Sequence, residues 1–394
     1  MSDYDVIVAG GSISGLLAAR EIAAGSLSVA VLEEDSEIGT PEHCGGLVSM
    51  SGIHDLGIIP DIKTVENSRI THARIFSRSS HFEISAAKQK VIVLDRRAFD
   101  KQVAYQAQNK GAEIRVKCSM RSFEKQDDDN DEYLVKTSEG DFSCRYFVDA
   151  RGVGSIISRN RDGVLQSAQY EIYASWIESD TIEVAFDSQL YPGFFAWIIP
   201  TGQGRGKVGV AGRRINAASS LQHYLHSKGK YSVVRKVYAP IWINGPLKNF
   251  VNERTIIIGD AAGQSKPTTA GGIYSCGMAG VLAGRAVVNS AENDTNDPRE
   301  KQLLLKSYEG NWLSMFKAEF DKMLLARRLF ERMDNKAIDE LINSIPPEVI
   351  QEASTDGDFD FHSSAVAKIL GAKGAARMAK ALFGNEIRRL VPES

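Results

Sequence analysis

The stretch from Asp5 to Glu34 constrains the fold more than any other part of the chain. DVIVA, Asp5 to Ala9, is a short continuous apolar run that breaks into Gly10-Gly11-Ser12-Ile13-Ser14-Gly15. LLAAREIAA follows with helical composition and spacing, and SVAVLEE, Ser28 to Glu34, reads as a second buried strand. Strand, glycine turn, helix and strand make a βαβ unit, whose parallel strands need a crossover and a sheet covered on both faces. The fold therefore opens as α/β.

Downstream, a helix is predicted over Arg97 to Lys110, then AEIRVKC as a strand, then two strand-like segments separated by the acidic run Asp127 to Glu132, read as a solvated hairpin tip. From Ala168 to Gly212 the pattern becomes alternating and aromatic-rich, which fits an antiparallel sheet with one wet face. The α/β pattern returns at RTIIIGDAAG, Arg254 to Gly263. After Gly277 the chain reads helical to its end, with a break between Pro346 and Ser364. The expected organisation is a discontinuous Rossmann-type domain (1–60, 90–160, 250–290), an inserted β-rich substrate domain (61–89, 161–249) and a C-terminal helical region (291–394).

The glycine turn carries the first chemistry. In Gly10-x-Ser12-x-x-Gly15 the first glycine makes the turn, the middle position faces a pyrophosphate and the last lets helix and strand pack closely. The helix N–H groups then meet phosphate, and Glu33, at the end of the next strand, is placed for ribose hydroxyls. Serine at the middle position departs from the usual glycine but offers a hydroxyl; Gly10, Ser12, Ser14, Gly15 and Glu33 are the candidate residues. A second motif, Ile256 to Gly263, ends a buried strand at Asp260 and leads through Pro267 to Ala270-Gly271-Gly272-Ile273, which opens a helix. A carboxylate at a strand end suits a ribityl chain, and a second helix start can face the pyrimidine side of a flavin. Together the motifs favour FAD over NAD.

GGSISG with Glu33, Asp95 to Asp100 (DRRAFD), and GDAAG with P-x-x-x-G-G follow in the order and spacing of flavoproteins built like para-hydroxybenzoate hydroxylase, so the first 290 or so residues resemble that superfamily. Within it, Gly39 to Gly46 (GTPEHCGG) and Pro192 to Pro200 (PGFFAWIIP) resemble geranylgeranyl reductases, including the archaeal digeranylgeranylglycerophospholipid reductases. Their P-x-x-Y-x-W-x-F-P signature appears with Phe195 for tyrosine and Ile199 for phenylalanine. The resemblance implies FAD contacts from Cys44, Gly45, Arg96 and the Met120 main chain, alongside Asp260, Gly271, Gly272 and Ile273. It also implies a prenyl lipid substrate lined by Phe195, Trp197 and Ile199, and a catalytic, proton-side role for Cys44. A disulfide or close pairing of Cys44 with Cys276 stays open. So does the external electron donor, among a ferredoxin, a deazaflavin and NADPH.

Two rival readings stand beside this one. Aromatic hydroxylases of the superfamily usually carry an Asp-Gly pair where this chain has Val148-Asp149-Ala150-Arg151-Gly152, closer to reductases, cyclases and halogenases. The halogenase W-x-W-x-I-P signature overlaps Phe195 to Pro200, making an oxygen-using halogenase or monooxygenase the alternative and a non-catalytic prenyl-binding carrier the third.

Composition narrows the rest. A chain of 394 residues with 43% apolar and 25% charged side chains is globular rather than disordered. Its net charge of -3 leaves no overall basic field for nucleic acid. Four scattered cysteines argue against a disulfide framework or zinc ribbon, and the seven histidines have no metal spacing, with His223 and His226 on a surface helix. No leader-like start and no uncharged run of roughly 18 residues is found, so a cytoplasmic location is expected. The segment Ala365 to Val391 has a net charge of +5 from Lys368, Lys373, Arg377, Lys380, Arg388 and Arg389 against Glu386. It fits a basic amphipathic helix on the inner face of the cell membrane, and equally a helix packed on its own protein.

Overall fold

A computed structural model describes residues 2–126, 132–158, 160–293, 297–356 and 359–361. The basic C-terminal segment and most of the acidic hairpin tip lie outside them. The flanking strands Met120–Lys125 and Tyr133–Thr137 pair antiparallel, as a hairpin requires.

The first strand, Tyr4–Ala9, lies parallel between Val29–Leu32 and Asp141–Asp149, which in turn lie beside Glu113–Arg115 and Thr255–Ile257. Val6 to Ala9 and Val29 to Leu32 are buried throughout, which explains their unbroken apolar sequence. The helices Ile13–Ala24 and Ile273–Glu292 cover one face together. They approach so closely that a β-carbon on Gly280 would stand 2.1 Å from the Ser14 carbonyl oxygen. Burying each of Leu16, Leu17 and Ile22 in this layer contributes about 1.5–3 kcal/mol.

A second sheet of seven strands runs Ser232–Trp242, Val164–Tyr173, Arg205–Gly212, Ala196–Gly202, Thr181–Ala185, His72–Phe76, His81–Ser85. It is the expected antiparallel sheet with one exception: Thr181–Ala185 pairs parallel with His72–Phe76. A small third sheet of Leu47–Ser49, Val91–Leu94 and Val65–Asn67 is formed from the segment between Val29–Leu32 and Glu113–Arg115.

Two sequence expectations need correction. AEIRVKC contributes only Glu113–Arg115 as strand. The break expected from Pro346 contains a helix, Pro347–Asp356, since a proline in the first helical turn gives up only an N–H that had no partner there. Helices Pro298–Phe330 and Asn335–Asn343 complete the C-terminal part. Among the described residues no helix is long and apolar enough to cross a membrane.

Candidate flavin and substrate site

The glycine turn sits at the C-terminal ends of the parallel strands, where open α/β sheets bind ligands. A β-carbon on Gly15 would lie 2.0 Å from the Gly10 carbonyl oxygen, and one on Gly10, whose φ is 111°, would lie 2.3 Å from the Ala150 oxygen. Only bare backbone fits this turn. Ser12 is exposed at the N-terminus of the first helix and makes no side-chain capping bond; the first turn contains no acid. Gly272 likewise leaves Ile273–Glu292 without a side-chain cap. The helices Arg96–Asn109, Ala217–Lys228, Pro298–Phe330 and Asn335–Asn343 are all capped, by Asp95, Asn216, Asp297 and Asp334. Unlike those four, the two helix starts that sequence reading assigns to a dinucleotide present positive ends open to an anion, as does the short helix Val153–Ile157 after Gly152.

Glu33 accepts from the Gly11 N–H at 2.7 Å and the Asp35 N–H at 2.9 Å, and burial pushes its carboxyl up. The Met120 segment arrives at the same end of the sheet, the Cys118 N–H donating to the Glu33 carbonyl at 2.9 Å.

Arg96 draws distant parts of the chain together. It is buried at the start of its helix, with Nε and Nη2 each 2.9 Å from the Asp100 carboxylate, and its charge interacts with the Cys44 thiol. Burial works against the charge, yet Asp100 and Cys44 hold Arg96 more firmly protonated than an exposed arginine. Its field also reaches Asp260 and Cys276. The Cys276 thiol donates to Asp260 Oδ1 at 3.5 Å; burial pushes both groups up. A β-carbon on Gly272 would lie 2.8 Å from that sulfur. All four cysteines are free, so Cys44 and Cys276 form no disulfide.

The wall comes from the seven-stranded sheet. Phe195 just precedes the strand Ala196–Gly202 and shares a face with Trp197, their ring centroids 6.1 Å apart; Ile199 continues that face, buried with Ile70, Val91, Val93 and Ile182. The Trp197 indole lies over Gly209, where a β-carbon would come within 2.2 Å of it. Gln169 connects wall and loop: Trp197 Nε1 donates to its Oε1 at 3.1 Å, and its Nε2 donates to the Cys44 carbonyl at 3.4 Å. Gly45 abuts Ile199. His223 and His226 are exposed, and no metal-binding group occurs among the described residues.

Sequence reading missed Gln169, Glu42, Lys207 and Arg327. Lys207 left one trace, a charge inside the otherwise apolar GKVGVAG. Gln169 and Arg327 left none, since their partners are tens of residues away.

Fold and site together define a dinucleotide-binding flavoprotein of the doubly covered α/β class. The FAD binding domain family matches residues 3–223, and the chain belongs to it, with FAD as its cofactor. The digeranylgeranylglycerophospholipid reductase 2 of Methanopyrus kandleri is 27% identical over 88% of this chain and 92% of its own. The crystal structure of a geranylgeranyl bacteriochlorophyll reductase-like protein from Thermoplasma acidophilum superposes with a TM-score of 0.83 at 21% identity, covering 98% of this chain and 99% of that one. A flavin-dependent brominase shares the fold more distantly, with a TM-score of 0.63 at 17% identity over 98% of this chain and 99% of its own.

Proposed function

We propose that this chain is an FAD-dependent oxidoreductase that saturates isoprenoid carbon–carbon double bonds of geranylgeranyl chains, carried by a glycerophospholipid or a diphosphate, in membrane lipid biosynthesis. The observation that carries this reading is the meeting of a thiol-bearing loop with an apolar aromatic wall, Cys44 and Gly45 against Trp197 and Ile199, linked to the flavin-side turn through Arg96. The full-length likeness to a relative named for digeranylgeranylglycerophospholipid reduction points the same way.

In this reading residues 1–60, 90–160 and 250–290 carry the cofactor, and 61–89 with 161–249 carry the substrate. Gly10, Ser12, Ser14, Gly15, Glu33 and the Met120 main chain hold the adenosine and pyrophosphate half. Cys44, Gly45, Arg96, Asp260, Gly271, Gly272 and Ile273 hold the ring half. Reduced FAD, when bound, supplies the hydride for one alkene carbon. An unactivated alkene has no carbonyl to polarise, so orientation and exclusion of water carry the acceleration. Phe195, Trp197 and Ile199 hold the chain, and the Cys44 thiol gives the proton to the second carbon. Electrons come from an external ferredoxin, deazaflavin or NADPH. The basic C-terminal segment brings the protein to the inner face of the membrane, where its substrate lies.

The purified protein is expected to be yellow. After anaerobic reduction it should add mass to a geranylgeranyl substrate in steps of two hydrogens, read by mass spectrometry. A colourless protein, or incorporation of oxygen or halide into an aromatic substrate in air, would replace this reading.

A further inference from the structure

The wall that carries Trp197 and Ile199 has a second, charged half. Strand register aligns Ile199, Lys207, Glu171 and Arg235 in one row and Trp197, Gly209, Gln169 and Val237 in the next. Residues paired across an antiparallel ladder project from the same face, so apolar and charged halves are continuous. Lys207 is only 1% exposed. A lysine so placed must find carboxylates, and it does: its Nζ donates to Glu42 Oε1 at 2.6 Å and lies 2.8 Å from Glu66 Oε2.

Glu42 comes from the loop that bears Cys44 and is itself buried. Its Oε2 accepts from Arg235 Nη2 at 2.6 Å and lies 3.5 Å from Arg97 Nε. Its Oε1 also accepts from the Arg96 N–H at 3.2 Å. One carboxylate therefore ties the thiol loop to the sheet and to the start of the helix whose Arg96 charge interacts with the thiol. A buried ion pair of this kind stabilises weakly, because desolvation offsets most of the attraction, but it fixes geometry, since losing one partner strands the other charge.

On the reductase reading above, we infer that Glu42 is a positioning residue: through Lys207 and Arg235 it fixes the Cys44 thiol relative to Arg96 and the Trp197 face. Glu42 lies within the Gly39 to Gly46 motif but has no expected cofactor contact there, and Lys207 lies outside the motif that marks the wall. The pair is the point at which the two meet.

The test uses the FAD-loaded protein. The other three cysteines are at most 4% exposed, so iodoacetamide alkylation of the native enzyme reads Cys44. Glu42→Gln keeps the shape and the acceptor for the Arg96 N–H but gives up the charge. It should retain a full complement of FAD and alkylate about tenfold faster, as a loop that opens more often does. Its kcat should fall about 100-fold with KM for the lipid nearly unchanged, the signature of lost orientation, and Glu42→Asp should recover part of the loss. Wild-type alkylation and kcat in Glu42→Gln would overturn the proposal. If Glu42→Gln does not fold, Glu42→Gln/Lys207→Met removes the stranded charge. Recovered folding with kcat still low supports positioning; recovered kcat means that the pair serves stability alone and overturns it. Absence of hydrogen addition by the wild type sinks the reductase reading only, and the alkylation rates still decide the role of Glu42.

Discussion

Asp149, 1% exposed at the end of its strand, accepts from Arg151 Nε at 2.9 Å, Arg151 Nη2 at 2.8 Å and Ser155 Oγ at 2.6 Å. Burial raises its carboxyl, but these donors outweigh it and hold the group below the usual aspartate range. Asp149→Asn is expected to cost about 2 kcal/mol in urea unfolding at neutral pH, with Arg151 partly exposed and so partly rehydrated. Because the folded-state value is depressed, the contribution is complete above the ordinary carboxylate range and disappears as pH falls through the folded value. The gap between wild type and variant should therefore close below about pH 4. At this scale, residues whose type is forced by backbone space or by a turn were legible in sequence, as Gly10, Gly15 and Gly272 were. Residues that act by pairing with a remote side chain were not: nothing near Gln169 in sequence announces that it spans Cys44 and Trp197.

The helix Pro298–Phe330 has the clearest element-level role outside the cofactor fold. Near its end Arg327 donates to the Pro267 carbonyl at 3.1 Å and to the Gly193 carbonyl, and its guanidinium lies 5.5 Å from the Phe194 ring centroid. It thereby pins the entry to the aromatic wall to the turn that leads to Gly271 and Gly272. Burial pulls this guanidinium down to about 10, with Glu331 opposing. Arg327→Met keeps the apolar stem and strands one buried and one partly buried carbonyl. It should lower stability by about 3 kcal/mol, seen as a shifted urea midpoint with an unchanged slope, and raise KM for the lipid. Helical character after Gly277 was legible in the sequence, but where this helix starts and which carbonyls its last turn meets were not. The Pro346 region was misread for a related reason, since a proline signals either the end of a helix or the beginning of one until its neighbours in space are known.

Across the whole molecule the small three-stranded sheet and the seven-stranded sheet share one apolar cluster, in which Ile70, Val91 and Val93 pack with Ile182 and Ile199, and the Glu42–Lys207 pair ties the loop after Val29–Leu32 to the seven-stranded sheet. One cooperative unfolding transition is expected. Trp312 sits in the core of the cofactor side with Phe250, Phe316 and Phe320, whereas Trp176, Trp197 and Trp242 report the seven-stranded sheet. Trp312→Phe and a variant retaining only Trp312 should melt at midpoints that differ only by the small cost of the substitutions. FAD at a hundred times its Kd should raise both by the same free energy, about 2.7 kcal/mol. Two separate transitions, with FAD moving only the Trp312 signal, would mean that the sheets unfold independently.

The sequence by itself determined the βαβ opening, the return of the α/β pattern near Asp260 and the dinucleotide turns. Each of these is set by short-range physics: apolar periodicity, a glycine where no β-carbon fits, an open helix end. Long-range packing alone makes Cys44, Arg96, Asp260 and Cys276 converge, carries the Phe195 to Ile199 face into a charged half, and lets Glu42 join the two. Those facts depend on which strands become neighbours. Register across a sheet aligns Lys207 with Ile199 and Glu171, and a loop packed on that row brings Glu42 to it, without leaving a mark on the residues between them.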